Sequence, residues 1–251
     1  MNDLDHPPLI YLEAHDPLPA PESAWDRPSA VAGLLAAGGG LSVDRLVEAY
    51  SKGCFPWFSL GQPVLWWSPD PRMVLTVERF RFHRSLRQWM KNHAGLDIRI
   101  DTAFNAVIEH CAQVPRAGQK GTWIVPDMVN AYKALHAAGF AHSIETWIDG
   151  RLCGGLYCVS VGQAVFGESM FSLVPNASKI ALAALMAFCK THHVALVDCQ
   201  QNTPHLALMG GEEVARSEFL THVRRAQTLA PLHWHFEPLY WAEFTSKPLL
   251  S

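Results

Sequence analysis

The sequence predicts a fold of mixed helices and strands (α+β or α/β) around a central sheet, and three observations support this. Residues 142–170 alternate as strands do, with the turn dipeptides Asp149-Gly150 and Gly162-Gln163 between them, which is typical of successive hairpins. A strongly apolar helical stretch follows and ends near Lys190, and residues 194–199 (VALVDC) then form a short buried strand. Strand, helix, strand and helix in this order indicate helices packed on a sheet.

The remaining elements follow in chain order. Residues 1–28 contain six prolines and are expected to be an irregular lead-in. Ser42 is placed to cap a helix from Val43 to Tyr50, and Gly53 ends that helix. Four prolines within residues 54–72 exclude a helix there and predict turns with short extended pieces. Asn176 or Ser178 is expected to cap the apolar helix, and further helices are predicted at residues 80–93, 102–111, 126–138, 203–209 and 217–227.

Composition limits the classes of protein that fit. The chain has 251 residues, of which 49% are hydrophobic and 17% charged, so it has room for one large or two modest globular domains. Its net charge of −3 gives no overall attraction to nucleic acid, so any RNA contact needs a local basic patch. The six cysteines form no CxxC pair and the histidines lack metal-ligand spacing, so we predict reduced thiols and no metal.

No stretch of the chain approaches the roughly 18 consecutive apolar residues of a membrane span. The first residues are acidic rather than basic, so no signal peptide is expected. We therefore expect a cytoplasmic protein with no membrane partner.

Three polar side chains stand in apolar strands. Asp198 and Gln200 end the buried strand two residues apart, so both point to one face, where open sheets often bind ligands. It is equally open that Asp198 caps the next turn and that Gln200 satisfies backbone groups. Glu168 has apolar neighbours on both sides, so it either pairs with a cation, receives a cationic ligand, or faces solvent.

Two sets of side chains suit RNA. Tryptophans on loops can stack on unpaired bases, although each is also a candidate core residue, and four are placed in this way: Trp57, Trp66, Trp67 and Trp123. Arg84, Arg87 and Lys91 share one helical face that could grip phosphates or simply be solvated.

Seven motifs in one order carry a resemblance to a known family. They are the segment of residues 54–72 with its FPWF and LWWSPDPR, and then GTWI (121–124), HSIETW (142–147), GGLY (154–157), GESMFS (167–172), NASKI (176–180) and VDCQ (197–200). Chance explains one tetrapeptide but not seven in sequence. Across residues 29–230 the chain closely resembles the bacterial leucyl/phenylalanyl-tRNA–protein transferase family.

The resemblance implies a fold and an activity. It implies a small N-terminal domain, residues 1–72, and a larger domain, residues 73–251, with a central mixed sheet and a GNAT-like fold related to the acetyltransferases. It implies transfer of Leu or Phe, and Met more weakly, from aminoacyl-tRNA to proteins that begin with Arg or Lys. This marks those proteins for N-end-rule degradation. No metal or organic cofactor is implied, and we expect a monomer.

The resemblance also assigns site residues by motif. Asp198 and Gln200 match the catalytic pair, and Glu168 matches the acidic residue near the reacting amines. Trp57 and Trp123 match the pair that sandwiches the terminal adenine of the tRNA. The implied amino-acid side-chain pocket consists of Met170, Leu156, Val165, Leu182, Leu185 and Val197. Two departures are the glycine at position 40, where the family commonly has Asp, and the sizes of Leu156 and Val165, which are expected to shift the preference between Leu and Phe.

We expect Gln200 to accept a hydrogen bond from the attacking amine, while Asp198 orients it and takes the proton directly or through a water. Glu168 and Glu145 are the candidates for an acidic recess around the acceptor Arg or Lys. In an acidic protein that binds tRNA, the helical face of Arg84, Arg87 and Lys91 is then the candidate phosphate contact. One alternative is a GNAT-type N-acetyltransferase using acetyl-CoA, although residues 172–178 lack the glycine-rich turn of a CoA site. The other is a non-catalytic tRNA-binding module.

Overall fold

The structure is a computed structural model that describes residues 8–26, 29–114 and 124–242. The strands are β1 (Ile10–Leu12), β2 (Leu34–Gly38), β3 (Phe55–Pro56), β4 (Leu65–Trp67), β5 (Arg72–Thr76), β6 (Leu96–Ile100), β7 (Ala141–Ile148), β8 (Arg151–Val161), β9 (Ala164–Ser172), β10 (Leu196–Gln200) and β11 (Glu212–Val214). The helices are α1 (Val43–Ser51), α2 (Arg84–Lys91), α3 (Phe104–Gln113), α4 (Pro126–Ala137), α5 (Ala177–Thr191), α6 (Pro204–Leu208) and α7 (Arg216–Ala226). Within the described residues, no helix is both long and apolar enough to cross a bilayer.

The N-terminal part of the chain forms a small four-stranded sheet with the order β1-β2-β4-β3. The predicted helix after Ser42 is confirmed, because the Ser42 Oγ accepts a hydrogen bond from the Arg45 N–H at 3.2 Å. Gly53 follows the helix with a φ of 70°, the left-handed conformation that ends helices. The proline-rich segment after it contains turns and only the short strands β3 and β4, as predicted.

The predicted lead-in is not irregular throughout. Strand β1 pairs in parallel with β2, with Ile10 opposite Ala36, and a 3₁₀ turn covers Pro21–Ser23. Proline content hid both elements, since neither strand β1 nor the turn includes a proline at a position where its missing N–H matters. Buried Arg45 ties this segment to α1 by donating to the carbonyl oxygen of Ala14 at 3.2 Å.

The larger sheet has seven strands in the order β11-β5-β10-β9-β8-β7-β6. Strand β10 runs parallel to β9 and antiparallel to β5, and the other neighbours are antiparallel, so the predicted mixed sheet is confirmed. Helix α5 makes the crossover between the two parallel strands. The predicted division at residues 72 and 73 falls inside β5.

Three strands of this sheet, β5, β6 and β11, were not predicted. Each has at most five residues and includes at least one charged residue, and each is held by its pairing with neighbouring strands, as Ile98 pairs with Thr146 of β7. The helix predicted at residues 80–93 begins only at Arg84. Phe80 and Phe82 are buried while Arg81 between them is exposed, so this piece follows the two-residue period of extended chain.

The large sheet separates two apolar cores. Along β8, Leu156 and Cys158 point to the core around α5, whereas Tyr157 and Val159 point to the core that α1, α3 and α4 share with the small sheet. Helix α5 packs closely on the sheet at Gly154, where a Cβ would lie 2.6 Å from the Cβ of Ala177. Gly154 therefore lets the largely apolar helix α5 lie close against the strands, whereas Gly155 faces Val107 of α3 on the opposite side of the sheet.

Candidate active site

A β-bulge places Glu168 at the centre of the candidate site. In the pairing of β8 with β9, Tyr157 lies opposite Ser169 and Cys158 opposite Gly167, so Glu168 is the extra residue. A bulge re-aims a side chain out of the regular alternation. This explains how a glutamate can interrupt an apolar strand without being driven to either core face.

A second bulge lies in the neighbouring strand. In the pairing of β10 with β5, Asp198 lies opposite Val74 and Gln200 opposite Met73, which leaves Cys199 as the extra residue. Gln200 has a left-handed φ of 63°, and its backbone N–H donates to the Asp198 Oδ1 at 2.9 Å. The side chain of Gln200 thereby reaches Glu168, and its Nε2 donates to the Glu168 Oε1 at 2.8 Å.

Asp198 is held in a buried ion pair. Arg72 donates through Nε to the Asp198 Oδ1 at 2.7 Å and through Nη2 to Oδ2 at 2.6 Å, and the two side chains are 0% and 1% exposed. The guanidinium of Arg72 lies between the rings of Phe55 and Phe219, at 4.8 and 4.5 Å from their centroids. The charge of Asp198 is thus balanced by Arg72 and its side chain is fixed. The side chain accepts from the backbone N–H of Gln200 and does not face solvent.

Glu168 is surrounded by hydrogen-bond donors. The Tyr50 hydroxyl donates to its Oε1 at 2.6 Å and the Tyr132 hydroxyl donates to its Oε2 at 3.3 Å. Loss of water around the carboxyl raises the pKa of Glu168 to about 8, aided by the charge of Asp198 and opposed by Tyr50, Tyr132 and Arg72. An acid with this pKa gains and loses its proton near neutral pH.

A cavity of about 590 Å³ opens beside Glu168. Five of the six predicted pocket residues line it: Leu156, Met170, Leu182, Leu185 and Val197. Val165 does not; it is 2% exposed and pairs with Val197 inside the sheet, so it supports the wall from behind. The remaining wall comes from β8, β9 and β10 and from Thr203, His205 and Leu206 around α6.

The predicted adenine-stacking pair is only half described. Trp57 is half-buried and packs against Trp67, with ring centroids 5.6 Å apart at an angle of 55°. The Trp67 indole N–H also donates to the Trp57 carbonyl oxygen at 2.7 Å, which fixes the backbone of Trp57. Trp123 lies outside the described residues.

The three basic residues of α2 are exposed, and Arg87 lies 5.3 Å from the ring centroid of Phe82. Helix α2 is adjacent to the cavity wall, because His83 at its start hydrogen-bonds to the Leu208 carbonyl of α6 at 3.2 Å. Glu145 is placed differently from the expectation. It is 0% exposed and accepts hydrogen bonds from Ser143, Trp147 and the Ala103 N–H at the start of α3, so it is a buried cap and not part of an open acidic recess.

Four site residues were missed by sequence reasoning. Tyr50 counted only as an apolar position of α1, Tyr132 had no motif, and Arg72 was only the last letter of a loop motif. His205 lines the cavity, and its pKa is lowered by burial and by nearby Lys179. The only signal for Arg72 was its residue type: an aspartate in an apolar strand needs a cationic partner, and arginine is suited to pair with a carboxylate.

An apolar cavity with a few convergent polar groups and a strongly shifted acid is the arrangement of an enzyme's substrate site. Within residues 8–26, 29–114 and 124–242, no cluster of three or more His, Cys, Asp or Glu side chains could hold a metal ion. The described site thus combines an apolar cavity with a hydrogen-bonded set of Glu168, Gln200, Asp198 and Arg72.

Comparison with known proteins names the enzyme class. Residues 74–224 match the family described as leucyl/phenylalanyl-tRNA protein transferase, and residues 39–70 match the N-terminal domain of that family. The leucyl/phenylalanyl-tRNA–protein transferase of Polaromonas sp. strain JS666 is 54% identical over 248 residues, which cover 97% of this chain and 97% of the relative. That of Albidiferax ferrireducens is 53% identical over 249 residues, with 98% of each chain covered. This chain therefore belongs to the leucyl/phenylalanyl-tRNA protein transferase family, and it is a transferase enzyme.

Solved structures add little. An aminoglycoside N-acetyltransferase is similar with a TM-score of 0.30 and 14% identity, over 57% of this chain and 95% of that chain. The GNAT relationship is implied by the family resemblance and not by this likeness.

Proposed function

We propose that this enzyme transfers leucine or phenylalanine, and methionine more weakly, from aminoacyl-tRNA to the N-terminal Arg or Lys of acceptor proteins. One observation carries the proposal: in a chain of this family, the apolar cavity is walled by Glu168, which is hydrogen-bonded to Gln200. The product bears a new N-terminal Leu or Phe and so becomes an N-end-rule degradation signal. The enzyme acts as a monomer in the cytoplasm, where charged tRNA is found.

The cavity suits a large apolar side chain such as that of leucine, methionine or phenylalanine. Its lining by Leu156, Met170, Leu182, Leu185 and Val197 offers no charge to such a group. Methionine is flexible at the wall and adapts to more than one shape, which supports acceptance of both Leu and Phe. Rejection of smaller side chains comes from lost burial, about 1–3 kcal/mol per methylene, so the preference is graded.

The reaction needs positioning and proton transfer. The aminoacyl ester is already activated, the acceptor amine attacks its carbonyl carbon, and the bond to the ribose oxygen breaks. The proton that the amine loses ends on that ribose oxygen. Gln200 accepts a hydrogen bond from the amine and orients it, which in favourable cases contributes several kcal/mol.

The proton acceptor in this scheme is Glu168 rather than Asp198. Both Asp198 oxygens accept from Arg72, and the side chain is 1% exposed, which favours an orienting role. Glu168 lines the cavity, and its pKa of about 8 suits a general base that works near neutral pH. Glu168 also offers the acceptor's cationic N-terminus an acidic partner.

The RNA contacts follow the motifs. Trp57 and Trp123 sandwich the terminal adenine, and Arg84, Arg87 and Lys91 contact phosphates. The half-exposed ring of Trp57 and the exposed basic face of α2 support these roles. A chain with net charge −3 needs such a local patch to bind RNA.

The direct test supplies tRNA charged with labelled leucine and a peptide that begins with Arg. Label should enter the peptide, and a matched peptide that begins with Gly should receive far less. Gln200→Ala should lower the rate roughly 100-fold, in the range of a lost proton-positioning group. Absence of label with folded wild-type enzyme, or acetylation of the same peptide by acetyl-CoA, would reject the proposal.

A further inference from the structure

Tyr50 and Tyr132 direct their hydroxyls at one carboxyl. They come from α1 and α4, and both side chains are 0% exposed. The Tyr50 hydroxyl donates to the Glu168 Oε1 at 2.6 Å. The Tyr132 hydroxyl lies 3.3 Å from Oε2 and also contacts the Tyr50 hydroxyl, so its one proton is shared between these two acceptors. Two fully buried tyrosines from separate helices therefore support a residue on a third element.

The amide of Gln200 completes the set of donors. Its Nε2 lies 2.8 Å from the same Glu168 Oε1 that Tyr50 contacts. An ionised carboxylate can only accept, so it turns the NH₂ of Gln200 toward itself and the amide oxygen away. Among the residues that the structure describes, no donor reaches that oxygen, so it is available to an incoming amine.

Protonation of Glu168 reverses this arrangement. The acid then carries a proton of its own, and the acceptors beside its Oε1 are the Tyr50 hydroxyl and the Gln200 amide. To accept that proton, Gln200 must turn its oxygen toward Glu168, which presents the NH₂ group instead. An NH₂ group cannot accept a hydrogen bond from an amine.

We propose that Tyr50 and Tyr132 are positioning residues that hold Glu168 as a carboxylate and thereby aim the oxygen of Gln200 at the acceptor amine. This inference rests on the proposed aminoacyl transfer and describes how protons regulate that same site. The ionisation of Glu168 sets which end of the Gln200 amide faces the substrate.

The direction of the pH effect follows from the groups around Glu168. Asp198 on β10 opposes its ionisation, Arg72 on β5 favours it, and the hydroxyls of Tyr50 and Tyr132 favour it by donating. Burial raises the pKa of the Cys158 thiol on β8, and the charge of Glu168 helps to raise it. Since the pKa of Glu168 is about 8, transfer should rise as the pH passes through that value. Loss of either tyrosine hydroxyl should move the midpoint to higher pH.

The first experiment is a pH profile of leucine transfer at saturating Arg-peptide for wild type, Tyr50→Phe and Tyr132→Phe. Each variant should shift the midpoint upward by roughly one pH unit, the size expected for one hydrogen bond to a charged group. Tyr11→Phe is the matched control, because Tyr11 lies on β1 and is 72% exposed. Its pH profile should coincide with that of wild type. The peptide amine also titrates, at about 7.7–8.0, but identically for every enzyme.

Coincident profiles for wild type and both site variants would overturn the proposal, whereas a merely structural role would lower the rate at all pH values without a shift. Glu168→Gln should transfer leucine much more slowly, and its residual rate should follow only the titration of the peptide amine.

The second experiment does not require leucine transfer, and it does not depend on whether the tyrosine variants fold. NMR of substrate-free enzyme follows the Glu168 carboxyl carbon and the Gln200 side-chain amide across the pH range, with Glu168→Gln and Gln200→Ala for assignment. Both signals should change with one midpoint, and an amide signal indifferent to Glu168 would refute the coupling. If wild type transfers no leucine while the two signals titrate together, the proposed function fails and the coupling stands.

Discussion

Replacement of Arg72 by methionine should be among the most destabilising single changes in this protein. The variant keeps a long side chain between Phe55 and Phe219 but removes both donors to Asp198, which is 1% exposed. Breaking a buried ion pair by removing one partner typically costs about 3–5 kcal/mol, because the remaining charge has no compensation. Domains are stable by only about 5–15 kcal/mol, so the loss is easily measured.

The double variant Arg72→Met/Asp198→Asn separates the ion pair from packing. In the wild-type protein the Gln200 N–H lies 2.9 Å from the Asp198 Oδ1. Asparagine at position 198 keeps an oxygen for this N–H and removes the carboxylate charge that Arg72→Met leaves unpaired. We expect the double variant to be more stable than Arg72→Met alone, with a coupling energy toward the upper end of the usual range of about 0.5–3 kcal/mol.

Urea unfolding followed by tryptophan fluorescence gives the free energy of unfolding for wild type, both single variants and the double variant. Arg151→Met is the matched control, since Arg151 is exposed at a hairpin end and its loss should fall within about 0.5 kcal/mol of wild type. A loss of less than about 1 kcal/mol for Arg72→Met, or simple addition of the single-variant costs, would show that the ion pair does not stabilise the fold in this way.

Three further predictions address RNA binding, packing and selectivity. Arg84→Ala with Arg87→Ala should weaken tRNA binding and reduce the slope of log affinity against log salt by about 1 for each lost phosphate contact, as titrations at several salt concentrations would show. Gly154→Ala should cost about 1–3 kcal/mol in thermal or urea unfolding, because its Cβ would lie 2.6 Å from that of Ala177. Leu185→Ala enlarges the cavity and should favour phenylalanine over leucine in competition between the two charged tRNAs.

Each of these has an outcome that contradicts it. An unchanged salt slope would show that Arg84 and Arg87 are solvated surface residues that do not contact phosphates. A Gly154→Ala protein as stable as wild type would mean that α5 can move away from the sheet. An unchanged ratio of products with Leu185→Ala would place the transferred side chain elsewhere.

Local signals predicted local structure well. Ser42 capping α1, the Asp149-Gly150 hairpin and the Pro126 start of α4 each depend on residues adjacent in the chain, and all three are confirmed. The strand β6 was missed although its sequence, LDIRI, alternates apolar and charged residues as strands do; it is only five residues long and is held in place by pairing with β7. The extended piece before α2 was mistaken for helix, although Phe80 and Phe82 are buried on either side of exposed Arg81, which is the period of extended chain.

By itself, the sequence determined the class of fold, the family, and the residues Asp198, Gln200 and Glu168 that meet in the site. Such features are carried by residue type and by spacing within one segment. Only the tertiary structure decided what these residues contact. Arg72 reaches Asp198 across 126 positions and Tyr50 reaches Glu168 across 118, and two bulges bring Glu168 and Gln200 together. Pairings at such distances depend on how strands register and helices pack, which no local pattern specifies.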